Sequence, residues 1–307
     1  YMKKRNKKKK ARWKLLLAGL ALLGGISLDQ NIISANTTIR VGTYNLRAPK
    51  KNDTNKQKDL LENDQVEIAG TQEINYKNHR FSGKSKYNTL TNFKDDYFKN
   101  IFYSNAIDFA GGGYGIATVS ALPLKDSKTV KLYSSEAGKH LQKLKKAYRE
   151  YNPDKKSTVK NLDKLTAKYG KKLVEPRVYQ RSVIEKDGKK IAFYNTHLSY
   201  ESTKIRQKQF KALAKAMRKD NTPYKVLVGD FNADQNTTEW KTFKKNFNIT
   251  NGKDGIWRDT FIGEDPTMNV NSIDNIITSK NISISNIHTI KSTASDHVPL
   301  VADLTLK

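Results

Sequence analysis

The chain has 307 residues, 36% hydrophobic and 9% aromatic, enough for one large packed domain and incompatible with disorder throughout. It has no cysteine, which excludes disulfides, thiolate metal sites and cysteine nucleophiles. Lys and Arg number 57 against 30 Asp and Glu, a net charge of +27, and a surface this basic attracts polyanions: nucleic acid, anionic lipid or cell-surface polymer.

At the N-terminal end, basic residues crowd the stretch from Lys3 to Lys14, and an apolar run from Leu15 to Leu28 follows. That run is shorter than the roughly 20 residues a spanning helix needs. With small residues at Ser34-Ala35 it reads as a secretory signal, cleaved after Ala35, which places the mature chain outside the cell. An uncleaved membrane anchor is the alternative. Residues 36–307 keep 48 basic and 29 acidic residues, so their net +19 does not depend on the leader.

Downstream, residues 39–44 alternate as a strand with one buried face. Residues 54–63 read as a helix, and Val66–Ala69 as a short apolar run leading into Thr71-Gln72-Glu73. Residues 75–95 are polar and loop-like, whereas the aromatic segment 97–103 favours a strand. Gly111–Gly113 form a turn before a strand at 116–119.

Residues 139–172 differ in composition, with 12 bases against three acids. Leu141, Leu144, Tyr148 and Tyr151, then Val159, Leu162, Leu165 and Tyr169, recur at helical spacing, with Asn152-Pro153 between them. Two amphipathic helices follow, each with one apolar stripe packed down and lysines outward. They are either a solvated face or a clamp for a phosphate backbone. Strands at 178–185 and 190–196, a helix at 203–219, a strand at 224–228, a helical stretch at 237–247 and strands near 273–278 and 298–304 complete the chain. With no internal repeat and no long linker, residues 36–307 form one domain carrying the basic insertion.

Several apolar runs stop abruptly at polar residues. Ile191–Tyr194 runs into Asn195-Thr196-His197, Val226–Gly229 into Asp230-Phe231-Asn232, and Ile273 and Ile276 bracket Asp274-Asn275. Ser295-Asp296-His297 precedes Val298–Val301, and Asn45 and Glu73 follow the first two strands. Each alone is ordinary for a turn. Together they form a set of acids, amides and imidazoles at strand ends, where α/β folds build rigid sites. Their oxygen-rich chemistry suits Mg²⁺, Mn²⁺ or Ca²⁺.

The segments TYNLR (43–47), TQE (71–73), GGGYGIATVS (111–120), NTHLS (195–199), GDFNAD (229–234), SID (272–274) and SDH (295–297), in that order, resemble the endonuclease/exonuclease/phosphatase superfamily over about residues 39–305. The resemblance implies a four-layer α/β sandwich: two packed mixed β-sheets with helices outside and the site at one edge of the sheets. It also implies divalent-metal phosphoester hydrolysis. Carried over by motif, Glu73 would hold the metal, helped by Asn45 and more distantly Asp296. Asp230 and Asn232 would position the attacking water and phosphoryl oxygens. His297, oriented by Asp274, would serve as base or phosphate contact, and His197 would contact phosphate. Asn195 joins the substrate-binding set, and either Arg181 or Arg177 would be the phosphate-binding arginine. Three departures stand out: Thr71 before Gln-Glu, Asn275 after Asp274, and the insertion, which is not a general family feature.

The leading expectation is a secreted monomeric nuclease with DNA, or RNA, as substrate. A sphingomyelinase-like phospholipid phosphodiesterase keeps the chemistry and changes the substrate; Tyr97-Phe98 and Trp257 are its candidates for a bilayer-entering surface. A non-catalytic surface-binding protein would require missing site residues, and none is missing.

Overall fold

A computed structural model describes residues 36–48, 51–134, 138–169, 175–263 and 271–307. The leader and its cleavage point lie outside the described residues.

Two six-stranded sheets carry the domain. The first runs β11 (Ile282–Thr289), β12 (Leu300–Leu306), β1 (Thr37–Asn45), β2 (Ile68–Tyr76), β4 (Gly112–Ser120), β3 (Asn100–Phe109). The second runs β5 (Lys125–Lys131), β6 (Val178–Lys186), β7 (Lys189–His197), β8 (Tyr224–Asp230), β10 (Asp274–Ser279), β9 (Phe247–Ile249). Both are mixed: β1 and β2 are parallel, as are β7 and β8, while the other pairings are antiparallel.

Side-chain alternation along the strands explains the layering. In β7, Ile191 and Phe193 enter the core between the sheets, and Ala192 and Tyr194 enter the opposite one. β8 repeats this with Val226 and Val228 inward and Leu227 outward. The outer core of the second sheet is closed by α5 (Thr203–Lys219) through Phe210, Leu213, Ala214 and Met217, and by Phe243 of α6 (Lys241–Lys244). On the first sheet, Tyr44, Leu46 and Ala69 meet Leu61 of α1 (Lys51–Asn63) and Leu90 and Phe93 of α2 (Thr89–Phe93). The order is helices, sheet, sheet, helices.

The space between the sheets is apolar through most of its depth and amide-rich in one band. Gln72 Nε2 donates to Asn195 Oδ1 at 2.9 Å, Asn195 Nδ2 to the Ala117 carbonyl at 2.8 Å and to Gln180 Oε1 at 3.1 Å, and Thr118 Oγ1 to Gln180 Oε1 at 2.8 Å. These buried groups bond to one another across the two sheets, with Gln72 Oε1 alone among them left unpartnered, and so fix the sheets' relative position. Close approach here needs a residue without a side chain: a Cβ on Gly70 would lie 2.4 Å from Val228 Cγ2 and 2.6 Å from Asn195 Oδ1.

The basic insertion forms α3 (Gly138–Glu150) and α4 (Lys156–Tyr169). α3 is docked: Leu144 and Ala147 are buried, Tyr148 and Tyr151 pack on Phe109, and the Tyr148 and Arg149 carbonyls accept from Ala110 and Gly111 at 2.7 and 3.0 Å. α4 departs from the expected packed stripe: Val159, Leu162 and Leu165 are only half-buried, because α4 packs on α3.

Some elements differ from expectation. The strand expected at 97–103 begins at Asn100, because Asp95 Oδ1 accepts from the Tyr97 and Phe98 N–H groups at 2.9 Å and holds that stretch in a turn. The region expected as loop, 75–95, contains the end of β2 and α2, whose N-terminus is capped by Asn88. The helix expected at 237–247 is a 3₁₀ turn (Thr238–Trp240) followed by one turn of α-helix, then β9. Tyr97-Phe98 and Trp257 form no exposed apolar surface. Phe98 is fully buried, Tyr97 packs edge-on against it, and Trp257 packs on Trp240.

Candidate active site

Strand register brings the site together. In the second sheet His197, Asp230 and Asp274 stand side by side, since His197 pairs with Asp230 across β7–β8 and Asp230 with Asp274 across β8–β10. At the end of the first sheet Asn45 pairs with Gln72, next to Glu73. The strand ends of both sheets open into a cavity of about 660 Å³ whose walls include Asn45, Glu73, His197, Asp230, Asn232, Asp296 and His297.

Backbone irregularities aim the side chains. The β2–β4 pairing shifts register between Thr71 and Ile74, and Glu73 in that bulge has φ 62°, a left-handed conformation uncommon outside glycine. Asn232 has φ 49°, and its N–H donates to Asp230 Oδ1 at 2.9 Å while its Nδ2 donates to the Leu198 carbonyl at 2.9 Å. Non-glycine residues held in this region cluster at functional sites.

Hydrogen bonds and close charge contacts link the groups. Asn45 Nδ2 donates to Asp230 Oδ2 at 3.0 Å and to Glu73 Oε1 at 3.3 Å. Asp230 Oδ2 lies 3.5 Å from His197 Nε2 and 3.8 Å from His297 Nε2. The far nitrogen of His297, Nδ1, is 2.8 Å from Asp274 Oδ2. The Ser295-Asp296-His297 turn is tied to the first sheet by Ser295 Oγ, which donates to the Asn45 carbonyl at 2.8 Å. Asp296 pairs with Arg47 at 3.1 Å.

Electrostatics divide the roles. Burial raises Glu73 above its ordinary value, opposed by His297 and by hydrogen bonds from Asn45 and Tyr114. Burial, reinforced by the charge of Asp274, also holds Asp230 well above the usual carboxylate range. For His297 burial disfavours the charged ring, but the Asp274 carboxylate and its hydrogen bond outweigh it and push the imidazole up to about 10. His197 goes the other way: burial, then the charges of Arg177 and His297, keep it neutral.

The residues fit a hard divalent cation. Glu73, Glu175, Asp230 and Asp296 line the cavity, Asp274 Oδ1 is buried without a hydrogen-bond partner, and no ion pair to Glu73 occurs among the described residues. Such uncompensated buried charge is costly unless a cation shares it. The ligating atoms of Asp230, Asp274 and His297 also lie within 4.8 Å of one another, but Asp274 holds the His297 ring protonated, and an imidazolium has no lone pair to give, so Glu73 is the better anchor. Asn45 enters this arrangement as a donor; its Oδ1 accepts from the Arg47 N–H at 2.9 Å, so serving as an oxygen ligand requires the amide to turn over.

Two expected substrate contacts stand elsewhere. Arg181 is held by Asp220 at 3.0 Å and by Thr222 at 2.9 Å, away from the cavity, because its register position on β6 faces Tyr194. Asn195 is fully buried in the inter-sheet band and supports the site from beneath. Arg177 does line the cavity. Sequence reading missed Tyr114, which lines the same cavity with Glu73; its place within GGGYG was the available signal.

The sequence profile of the Endonuclease/Exonuclease/phosphatase family matches residues 42–297. No curated protein sequence matches the chain. Among solved structures, an endonuclease/exonuclease/phosphatase from Bacteroides vulgatus is 16% identical with a TM-score of 0.61, covering 88% of this chain and 100% of its own. A mannosyl-6-phosphatase from Bacteroides thetaiotaomicron is 17% identical, TM-score 0.58, over 87% of this chain and 99% of its own. The catalytic domain of human Nocturnin, solved with a bound sulfate anion, is 15% identical, TM-score 0.58, over 89% of this chain and 98% of its own. At such identities these likenesses concern the fold. The profile match spans most of the chain, and the chain belongs to the Endonuclease/Exonuclease/phosphatase family, whose members hydrolyse phosphoester bonds.

Proposed function

We propose that this protein is a divalent-metal-dependent phosphodiesterase that acts on DNA outside the cell. The observation that carries the reading is the meeting of Glu73 and Asn45 from one sheet with His197, Asp230 and the Asp274–His297 pair from the other. Mg²⁺, or Mn²⁺ or Ca²⁺, held by Glu73 with Asn45 and Asp296 near, would neutralise charge on the phosphate and its leaving oxygen.

The chain's own groups supply the rest. Asp230, raised toward neutral pH, accepts the proton of the attacking water. The His297 imidazolium and the Arg177 guanidinium offset charge on the phosphoryl oxygens, and Asn232 stands beside them as a further polar contact. Neutral His197 holds its place beside Asp230 as a contact for phosphate.

DNA is favoured by charge. Lys156, Lys160, Lys164 and Lys168 of α4 are exposed at four-residue spacing, a like-charge row that disfavours the isolated helix and suits a polyphosphate. No exposed aromatic surface at Tyr97-Phe98 or Trp257 supports a bilayer substrate. The test is hydrolysis, with Mg²⁺, of single-stranded DNA against sphingomyelin and phosphatidylcholine vesicles. The reading expects DNA cleavage alone; choline-phosphate release without DNA cleavage would replace it.

A further inference from the structure

A second cavity, about 750 Å³, adjoins the first and shares Glu175, Arg177 and Tyr200 with it. One wall is the sandwich, with Ile107 of β3, Leu132 and Val178. The other is the insertion, with Leu144, Tyr148 and Ala167. This wall is anchored by α3 through buried packing and backbone hydrogen bonds to the β3–β4 turn.

The partition between the cavities is chemically incomplete. Arg177 is only 5% exposed; one terminal nitrogen lies 3.1 Å from Glu175, and its Nε has no hydrogen-bond partner. Glu201, on the rim, accepts from the Glu175 N–H through Oε1 at 2.8 Å and leaves a buried Oε2 unpartnered. Buried guanidinium and carboxylate atoms left unsatisfied are expensive, and a polar ligand would satisfy both. The lining mixes these apolar side chains with polar and charged ones such as Asn105, Asp108, Lys131 and Gln142, which suits a ring that carries hydroxyls, and the volume is that of an ordinary small-molecule pocket.

We propose that this cavity receives one hydroxyl-bearing ring attached to the scissile phosphate, of nucleoside or hexose size, with Arg177 reaching the phosphate and Glu201 accepting from a ring hydroxyl. The inference rests on the phosphodiesterase reading and deepens it. The compartment lies between α3, α4 and the sheet edge, and a polynucleotide would place one residue in it, unpaired. Tyr200, 57% exposed at the shared rim, is placed to lie against the ring.

The test uses the full chain with Mg²⁺ and two chromogenic diesters, thymidine 5′-(p-nitrophenyl phosphate) and methyl p-nitrophenyl phosphate. Ala167→Trp, on the exposed α4 wall, fills the cavity without touching the catalytic groups. The proposal expects it to raise KM for the thymidine ester about tenfold while leaving kcat/KM for the methyl ester within about twofold. Glu201→Gln is expected to weaken the thymidine ester alone. Equal effects on both esters overturn it, and no effect on either overturns it unless glucose 6-phosphate binds and Ala167→Trp weakens that binding tenfold. Calorimetric binding of thymidine 5′-phosphate and glucose 6-phosphate in EDTA identifies the ring. Binding of either, weakened tenfold by Ala167→Trp, upholds the subsite even if no ester is hydrolysed, in which case the phosphodiesterase reading alone fails. Binding of neither overturns the subsite.

Discussion

Asn45, closing β1 in the first sheet, donates across 3.0 Å to Asp230, closing β8 in the second. This bond joins the two halves of the site, and the same amide reaches Glu73. Asn45→Asp would set a third carboxylate against two that burial already disfavours as anions. Its expected cost in kcat is on the order of 10²-fold or more, the scale of losing one preorganised donor. Steady-state kinetics, with circular dichroism to confirm folding, checks this; a rate within threefold of the parent would remove Asn45 from the account.

The charge on His297 is set by Asp274. Because the native value is raised, the ring stays protonated through neutral pH in the metal-free protein and releases its proton only as pH climbs toward about 10. Asp274→Asn removes the charge while burial remains, so the midpoint should fall to the ordinary value of about 6.5 or below. An NMR titration of the ring protons in EDTA reads it directly. An unchanged midpoint would mean that another group holds the proton.

Gly70 keeps the sheets close above the amide band. Gly70→Ala would drive a methyl into Val228 and Asn195 and force the sheets apart, at a cost of roughly 1–3 kcal/mol. Thermal unfolding should show a lowered Tm together with reduced turnover, because the same displacement separates Asn45 from Asp230. A lower Tm with undiminished activity would show that the site does not depend on this spacing.

Lysines of α4 should act through salt-sensitive contact with phosphates. Replacing Lys156, Lys160, Lys164 and Lys168 together by Gln should make the log–log dependence of single-stranded DNA affinity on salt shallower by about 2 to 3, given a slope of about 0.7 per phosphate contacted. Fluorescence anisotropy at several ionic strengths measures it, and an unchanged slope would mark the row as a solvated face.

Much of this was legible in the chain. The alternation of β1 and the continuous apolar runs of β7 and β8 announced themselves, because β7 and β8 have one residue parity in the central core and the other beneath helices. The polar residues that interrupt those runs are the site residues. β5 was not legible: as an edge strand it carries Lys125, Lys128 and Lys131 and has no apolar face to betray it. β11 alternates only over Ile282–Ser285, because a bulge between Ser285 and His288 breaks the period. The choice between Arg177 and Arg181 depended on register, since both lie just before or within β6 and only the pairing shows that Arg181 faces Tyr194 and Asp220. The Glu73 bulge leaves no mark in Thr-Gln-Glu-Ile-Asn, because it arises from pairing with β4.

The central claim is that Glu73 anchors a cation on which phosphodiester hydrolysis depends. Hydrolysis of a single-stranded DNA oligonucleotide, measured with Mg²⁺ and with EDTA for the parent protein and for Glu73→Ala, tests it most directly. The account predicts cleavage that EDTA abolishes and Mg²⁺ restores, and a rate lowered on the order of 10²–10⁴-fold by Glu73→Ala in a protein that remains folded. Undiminished cleavage in EDTA, or a Glu73→Ala rate equal to the parent's, would contradict it.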